Sequence, residues 1–249
     1  MRQAIRPRTT GRAATVLGTL AALLAVAGTA GCARTISGAA VPAEPPARAG
    51  APTSSPHALP VTVLDSLLLT QDQLVVLAGG TNLALIHPIS STSDASGIID
   101  DRSCLGVSSV GDASIYSNSG YVGMRGNQFS SPNTVEADIT QLVTSFTTNA
   151  DAATLLQRAR QDWQGCSKRR YGFHSSNGNH SYFDTEDLSA TGSRIEVTMR
   201  QEEDPRWGCA HAMAAQNNVL AEARVCLLSK DTAVAVNKLL DQVVARIPQ

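Results

Sequence analysis

Residues 209–226 read CAHAMAAQNNVLAEARVC, and the fold turns on how this stretch reverses. Asn tolerates the positive φ that a two-residue type I′ hairpin needs at both central positions, so Asn217-Asn218 predicts the turn. Gln216 then faces Val219, and counting outward brings Cys209 directly opposite Cys226. Alternation from a hydrogen-bonded Gln216–Val219 pair makes the cysteines a non-hydrogen-bonded pair, in which the Cα atoms lie close enough for a bridge. The same alternation sorts the hairpin into two faces. One face is small and apolar, with Ala210, Ala212, Ala214, Val219, Ala221, Ala223 and Val225, and it suits a closely packed helix. The other carries His211, Met213, Glu222 and Arg224. This second face is either the lining of a ligand groove or the solvated side of a half-buried antiparallel sheet.

The other cysteines follow from compartment and count. The chain has 249 residues and five cysteines. Its first charges, Arg2, Arg6, Arg8 and Arg12, precede a short apolar run at 16–30, too short for a comfortable bilayer span and suited to a signal peptide over 1–31. The run ends in Thr29-Ala30-Gly31-Cys32, which resembles a bacterial lipobox with Thr29 in the place usually held by Leu. Cys32 is therefore the expected lipid attachment site, carrying diacylglycerol and palmitate-type acyl chains; ordinary secretion with cleavage near Ala30 is the competing reading. Cys104, Cys166, Cys209 and Cys226 remain, an even number that in an exported chain predicts two disulfides with three connectivities open. The hairpin register selects Cys209–Cys226 and leaves Cys104–Cys166. No CxxC spacing points to a zinc or redox site, so no metal and no cofactor are expected.

Residues 32–60 hold six of the eleven prolines amid Ala, Ser and Gly, the composition of a semi-extended tether. The remaining 61–249 has the size of one domain. Without the four leader arginines the chain has 16 basic residues against 21 acidic ones. No basic run is present to neutralise phosphates, so a nucleic-acid partner is not expected.

Within the body, Thr70-Gln71-Asp72-Gln73 predicts a capping box and helix start, with Gly79-Gly80 as its stop. Residues 101–110, 121–129 and 134–146 read as strands, the last with a helical alternative through Ile139, Leu142, Val143 and Phe146. Residues 152–163 predict a helix behind a cap at Asn149. Strands follow at 169–174, 181–189 and 193–201, and an amphipathic helix at 233–247 closes the chain. Strands joined by short links, with few helices, predict an α+β domain built on a central antiparallel sheet with packed helices.

Several of these segments carry a family resemblance. LLLTQDQLVVLAGG at 67–80, Cys104, IYSNSGYVGMRG at 115–126, Trp163-Gln164-Gly165-Cys166, and Trp207-Gly208-Cys209 through Asn217-Asn218-Val219 to Cys226 occur in the order found in PknH-like extracellular sensor domains. That family is attached to a mycobacterial serine/threonine kinase and also to lipoproteins. The resemblance implies an α+β fold, a concave groove for an unidentified ligand, and cysteines paired first to second and third to fourth. The kinase itself is missing: there is no GxGxxG loop, HRD or DFG.

Two further clusters invite a chemical reading. His174 and His180 flank a Ser-, Asn- and Gly-rich loop near Asp184 and Glu186, which reads as a polar hairpin rather than a metal site. Lys168-Arg169-Arg170 reads as a solvated strand edge. With no G-x-S-x-G elbow a hydrolase is not expected. The expected molecule is a non-catalytic cell-envelope lipoprotein, held on the extracytoplasmic face of the membrane by its lipid. It would bind an unidentified small molecule or envelope component in a groove lined by His211, Met213, Glu222 and Arg224. The alternative is a protein–protein interaction module of the envelope with no small ligand.

Overall fold

The computed structural model describes residues 58–175 and 178–249, so the expected signal peptide, Cys32 and nearly all of the tether lie outside the described residues. The strands are β1 (Ala84–Ile89), β2 (Gly123–Ser130), β3 (Ala137–Ser145), β4 (Arg170–His174), β5 (His180–Thr185), β6 (Ser189–Thr191), β7 (Arg194–Gln201), β8 (Trp207–Gln216) and β9 (Val219–Leu228). The helices are α1 (Gln71–Leu77), α2 (Leu105–Ser108), α3 (Ala113–Tyr116), α4 (Asn149–Cys166) and α5 (Thr232–Val244), with 3₁₀ turns at Val61–Leu67 and Arg102–Cys104. The strands form one sheet in the order β1-β2-β3-β9-β8-β7-β5-β4, with β6 paired to β7. Every strand pairing in it is antiparallel. This is the α+β sheet expected.

The β8–β9 hairpin sits at the middle of that sheet with the register read from the sequence, from Gln216 opposite Val219 to Cys209 opposite Cys226. Cys209 and Cys226 are bonded with their Cα atoms 3.9 Å apart, and Cys104 is bonded to Cys166. The turn itself differs from expectation. Asn217 takes a φ of 52°, but Asn218 does not adopt positive φ, so the reversal is not type I′. Asn218 serves through its side chain instead. Its Nδ2 donates to the Phe146 carbonyl at 2.7 Å and its Oδ1 accepts from the Leu59 amide at 2.7 Å, binding the end of β3 and the entry of the domain to the turn.

Each face of the sheet buries its own core. The small residues of β8 and β9, Ala210, Ala212, Ala214, Ala221 and Ala223, pack with Val236, Leu239, Leu240 and Val243 of α5. Alanines here let the helix backbone come close, and each buried Leu contributes about 1.5–3 kcal/mol. Asp231 starts this helix by accepting the Val234 amide at 3.1 Å. The opposite face carries Leu155, Leu156, Ala159 and Trp163 of α4 over Met213 and the two disulfides.

Some local readings change. The cap of α4 is Thr148, whose hydroxyl accepts from the Asp151 amide while Asp151 reaches back to the Thr148 amide. Asn149 stands one residue inside it. Residues 101–110 are not a strand: Asp101 accepts the Ser103 amide at 2.9 Å, which nucleates a helical turn that runs into α2. β3 is a strand as expected, and it is buried on both faces, with Ile139 and Val143 on the α5 side and Leu142 on the α4 side. The predicted strand 181–189 divides into β5 and β6. β1 was not foreseen because it contains Pro88, which a sheet tolerates at an edge such as this one.

Candidate functional site

The polar face of the hairpin is where a groove was expected, and the structure closes most of it. His211 and Met213 are fully buried and Glu222 is 1% exposed. Above them lie α4 and the segment from α2 to α3. The reading of these three residues as a groove lining is therefore wrong, and so is the alternative of a solvated face. The sheet is covered on this side too.

Under that cover the polar groups form a closed network. The His211 ring lies 4.5 Å from the Trp163 ring. Its Nδ1 is 2.8 Å from the Val107 carbonyl, which can only accept, and its Nε2 is 2.9 Å from Glu222 Oε1. The same Oε1 accepts from the Gly111 amide at 3.1 Å, and Oε2 accepts from the Tyr116 hydroxyl at 2.6 Å. The Gly111 amide and the Tyr116 hydroxyl thus both donate to one carboxylate, and the His211 ring bridges that carboxylate to the Val107 carbonyl. Burial, reinforced by the Glu222 charge beside it, pushes the Tyr116 phenol well above its usual range. Buried, paired and shut off from solvent, this cluster holds the α2–α3 segment onto the sheet.

Arg224 is the member of the expected four that reaches open space. Its Nη1 donates to the Ser108 carbonyl, and its Nη2 lies 3.3 Å from Asp138 Oδ1. Asp138 Oδ2 in turn accepts from Gln128 Nε2 at 2.7 Å. β2, β3 and β9 supply one residue each to this row.

Beside the row lies a cleft of about 480 Å³. The Cys209–Cys226 disulfide lines its base, Ser130, Ser131 and Val135 belong to its β2–β3 side, and Phe173, Phe183 and Trp207 bring aromatic surface from β4, β5 and β8. Phe183 stacks on Tyr171 at 5.6 Å between centroids, and the Tyr171 hydroxyl lies 3.2 Å from the Met199 sulfur. Val135 is 75% exposed and Phe173 36%, an apolar rim at the opening. Gln128 and Arg224 also line a second cleft of about 390 Å³, where Ser90, Ser91, Thr92, Ser93 and Thr140 supply hydroxyls. The two clefts thus share their dividing residues.

The aromatic positions were missed as site residues because no spacing links them; they converge only through the sheet order. Trp207, two residues before Cys209, is one of them. Trp163 is buried against His211. His174 and His180 face each other across the β4–β5 hairpin with ring centroids 4.3 Å apart, and among the described residues no group of three or more metal-ligating side chains assembles. The basic triplet is neutralised locally, with Lys168 on Asp187, Arg169 on Asp101 and Arg170 on Glu202.

Comparison with known proteins agrees with this architecture. The crystal structure of the extracellular domain of PknH from Mycobacterium tuberculosis superposes with a TM-score of 0.70, at 21% identity, over 76% of this chain and 97% of that one. At that identity the likeness concerns the fold. No curated protein matches the chain. Among the described residues no helix is long and apolar enough to cross a membrane. The family profile described as PknH-like extracellular domain matches residues 59–246, three quarters of the chain, and the chain belongs to that family of extracellular domains.

Proposed function

We propose that the chain is an envelope lipoprotein, held to the membrane by lipid on Cys32, whose domain binds a small molecule or envelope component in the cleft over Cys209–Cys226 without catalysing a reaction. The observation that carries this reading is the cleft of about 480 Å³, with aromatic walls and an exposed apolar rim. Pockets of this size that combine apolar walls with a few fixed polar groups suit small ligands. A polar row beside it, Gln128, Asp138 and Arg224, is tied up in mutual hydrogen bonds and to a backbone carbonyl, an arrangement for orienting a ligand. The histidine–carboxylate pair, the group best suited to proton transfer, is sealed under α4. Lipid on Cys32 accords with the apolar run and the Thr29-Ala30-Gly31-Cys32 sequence, since two or three acyl chains hold a protein stably to a bilayer.

Native mass spectrometry of the protein extracted from its own envelope tests the binding claim. A co-purifying small molecule, lost on Trp207→Ala, is the expected result; an apo mass accompanied by a retained protein partner would replace it with an interaction module. Cys32→Ala should abolish acyl labelling, and label persisting in that variant would remove the anchor.

A further inference from the structure

We infer that the ligand is an uncharged amphiphile, with its apolar body in the aromatic cleft and a hydroxyl-bearing head laid over Asp138, Gln128 and Arg224. This rests on the proposed binding in the cleft and adds the chemistry of what binds there. The body follows from the lining: Val135, Phe173, Phe183, Trp207 and the disulfide offer apolar surface, with no charged group among them. The head follows from the balance of the polar row.

Among the residues lining the two clefts, Asp138 and Arg224 are the only ones bearing fixed formal charges, and they are opposite and adjacent. A carboxylate or phosphate head would meet Asp138 as well as Arg224, and an ammonium head would meet Arg224 as well as Asp138. Neither sign gains from a site whose charges cancel, and each must still shed its water on entering. A hydroxyl both donates and accepts, so it can donate to Asp138 and accept from Arg224 at once. The geometry leaves room for this. The Asp138–Arg224 contact is long at 3.3 Å, and the two side chains stay 20% and 24% exposed, so a head group can reach both. Beyond the row, the second cleft continues with serine and threonine hydroxyls and His87, where further hydroxyls of a larger head would find donors and acceptors. Two lobes of opposite character that meet at a neutral polar row match a molecule with the same division.

Calorimetric titration of the whole domain with octyl glucoside below its micelle concentration, octanoate and glucose separates the possibilities. Octyl glucoside is expected to bind at least ten-fold more tightly than octanoate, and glucose, which lacks the tail, to give no heat of binding. Asp138→Asn leaves Arg224 uncompensated and should raise octanoate affinity at least ten-fold while lowering that of octyl glucoside. Phe173→Asp, at a position already on the rim, should abolish both, which keeps the test open if Asp138→Asn fails to fold. Octanoate binding the native protein as tightly as octyl glucoside, or glucose binding without a tail, would overturn the assignment of the head while leaving the cleft a binding site. If neither tailed compound binds and an apolar dye is also ignored, cleft binding itself is refuted.

Discussion

Glu222→Gln changes one atom in the most heavily committed side chain of the core. The carboxylate accepts from the Gly111 amide and His211 at Oε1 and from the Tyr116 hydroxyl at Oε2. A glutamine amide has one acceptor oxygen. Its NH₂ cannot face the Gly111 amide, since both are donors, so the oxygen is forced to the Oε1 side and the NH₂ meets Tyr116. The Tyr116 proton then loses its acceptor, and His211 loses the negative charge beside it. Both residues are fully or almost fully buried, with His211 at 0% and Tyr116 at 1% exposure. Leaving a buried polar group without its hydrogen-bond partner costs about 1–3 kcal/mol. The expected loss is about 1–3 kcal/mol, a sizeable share of the roughly 5–15 kcal/mol that holds an ordinary domain folded. Equilibrium urea unfolding reports it, with Trp163 fluorescence as the probe because that ring lies on His211. A loss below about 1 kcal/mol at unchanged m-value would refute the reasoning, because it would mean that water already reaches Glu222.

The two disulfides should differ in what they contribute. On the chain-entropy estimate Cys104–Cys166, with a sequence separation of 62, is worth about 4 kcal/mol and Cys209–Cys226, with 17, about 3 kcal/mol; paired Cys→Ala variants in the same unfolding assay should rank in that order. Tyr116 and Tyr171 both have their phenols raised by burial above the ordinary value of 10.0. Their stabilising contribution is complete below pH 10 and is lost as pH rises above it, because only the unfolded chain then releases the protons. Phenolate absorbance of the native protein should accordingly stop short of the four tyrosines present and complete only as the fold melts.

Much of the scaffold could be read from residues alone, and particular ones show why. The cysteines placed symmetrically about Asn217-Asn218 fixed a register that a one-residue slip would have inverted, sending the alanine face away from α5. The Thr70–Gln73 capping box is local chemistry and appears where the spacing puts it. β3 was ambiguous for a physical reason. A central strand buried on both faces has no polar alternation, so its apolar residues fit a helical period as well. The covering of His211 was not legible, since it depends on irregular backbone between β1 and β2. There buried Asp112 accepts the Ala95 amide at 3.0 Å and the Ser114 amide at 2.8 Å, bonds that no periodicity announces. The cleft was hidden likewise, because Val135, Phe173, Phe183 and Trp207 become neighbours only when β4 and β5 are placed beyond β7 in the sheet. Arg224 reaches the cleft from that side of the hairpin, while His211, Met213 and Glu222 lie buried in the core.

Trp207 gives the most direct reading of cleft occupancy. Trp163→Phe leaves it as the single tryptophan, at the cost of an indole whose Nε1 has no hydrogen-bond partner to lose. Titrating this variant with material extracted from its own envelope should shift and saturate the Trp207 emission, and the response should vanish with Phe173→Asp. Saturable binding by calorimetry while Trp207 emission stays constant would place the ligand elsewhere and contradict a site over the Cys209–Cys226 bridge.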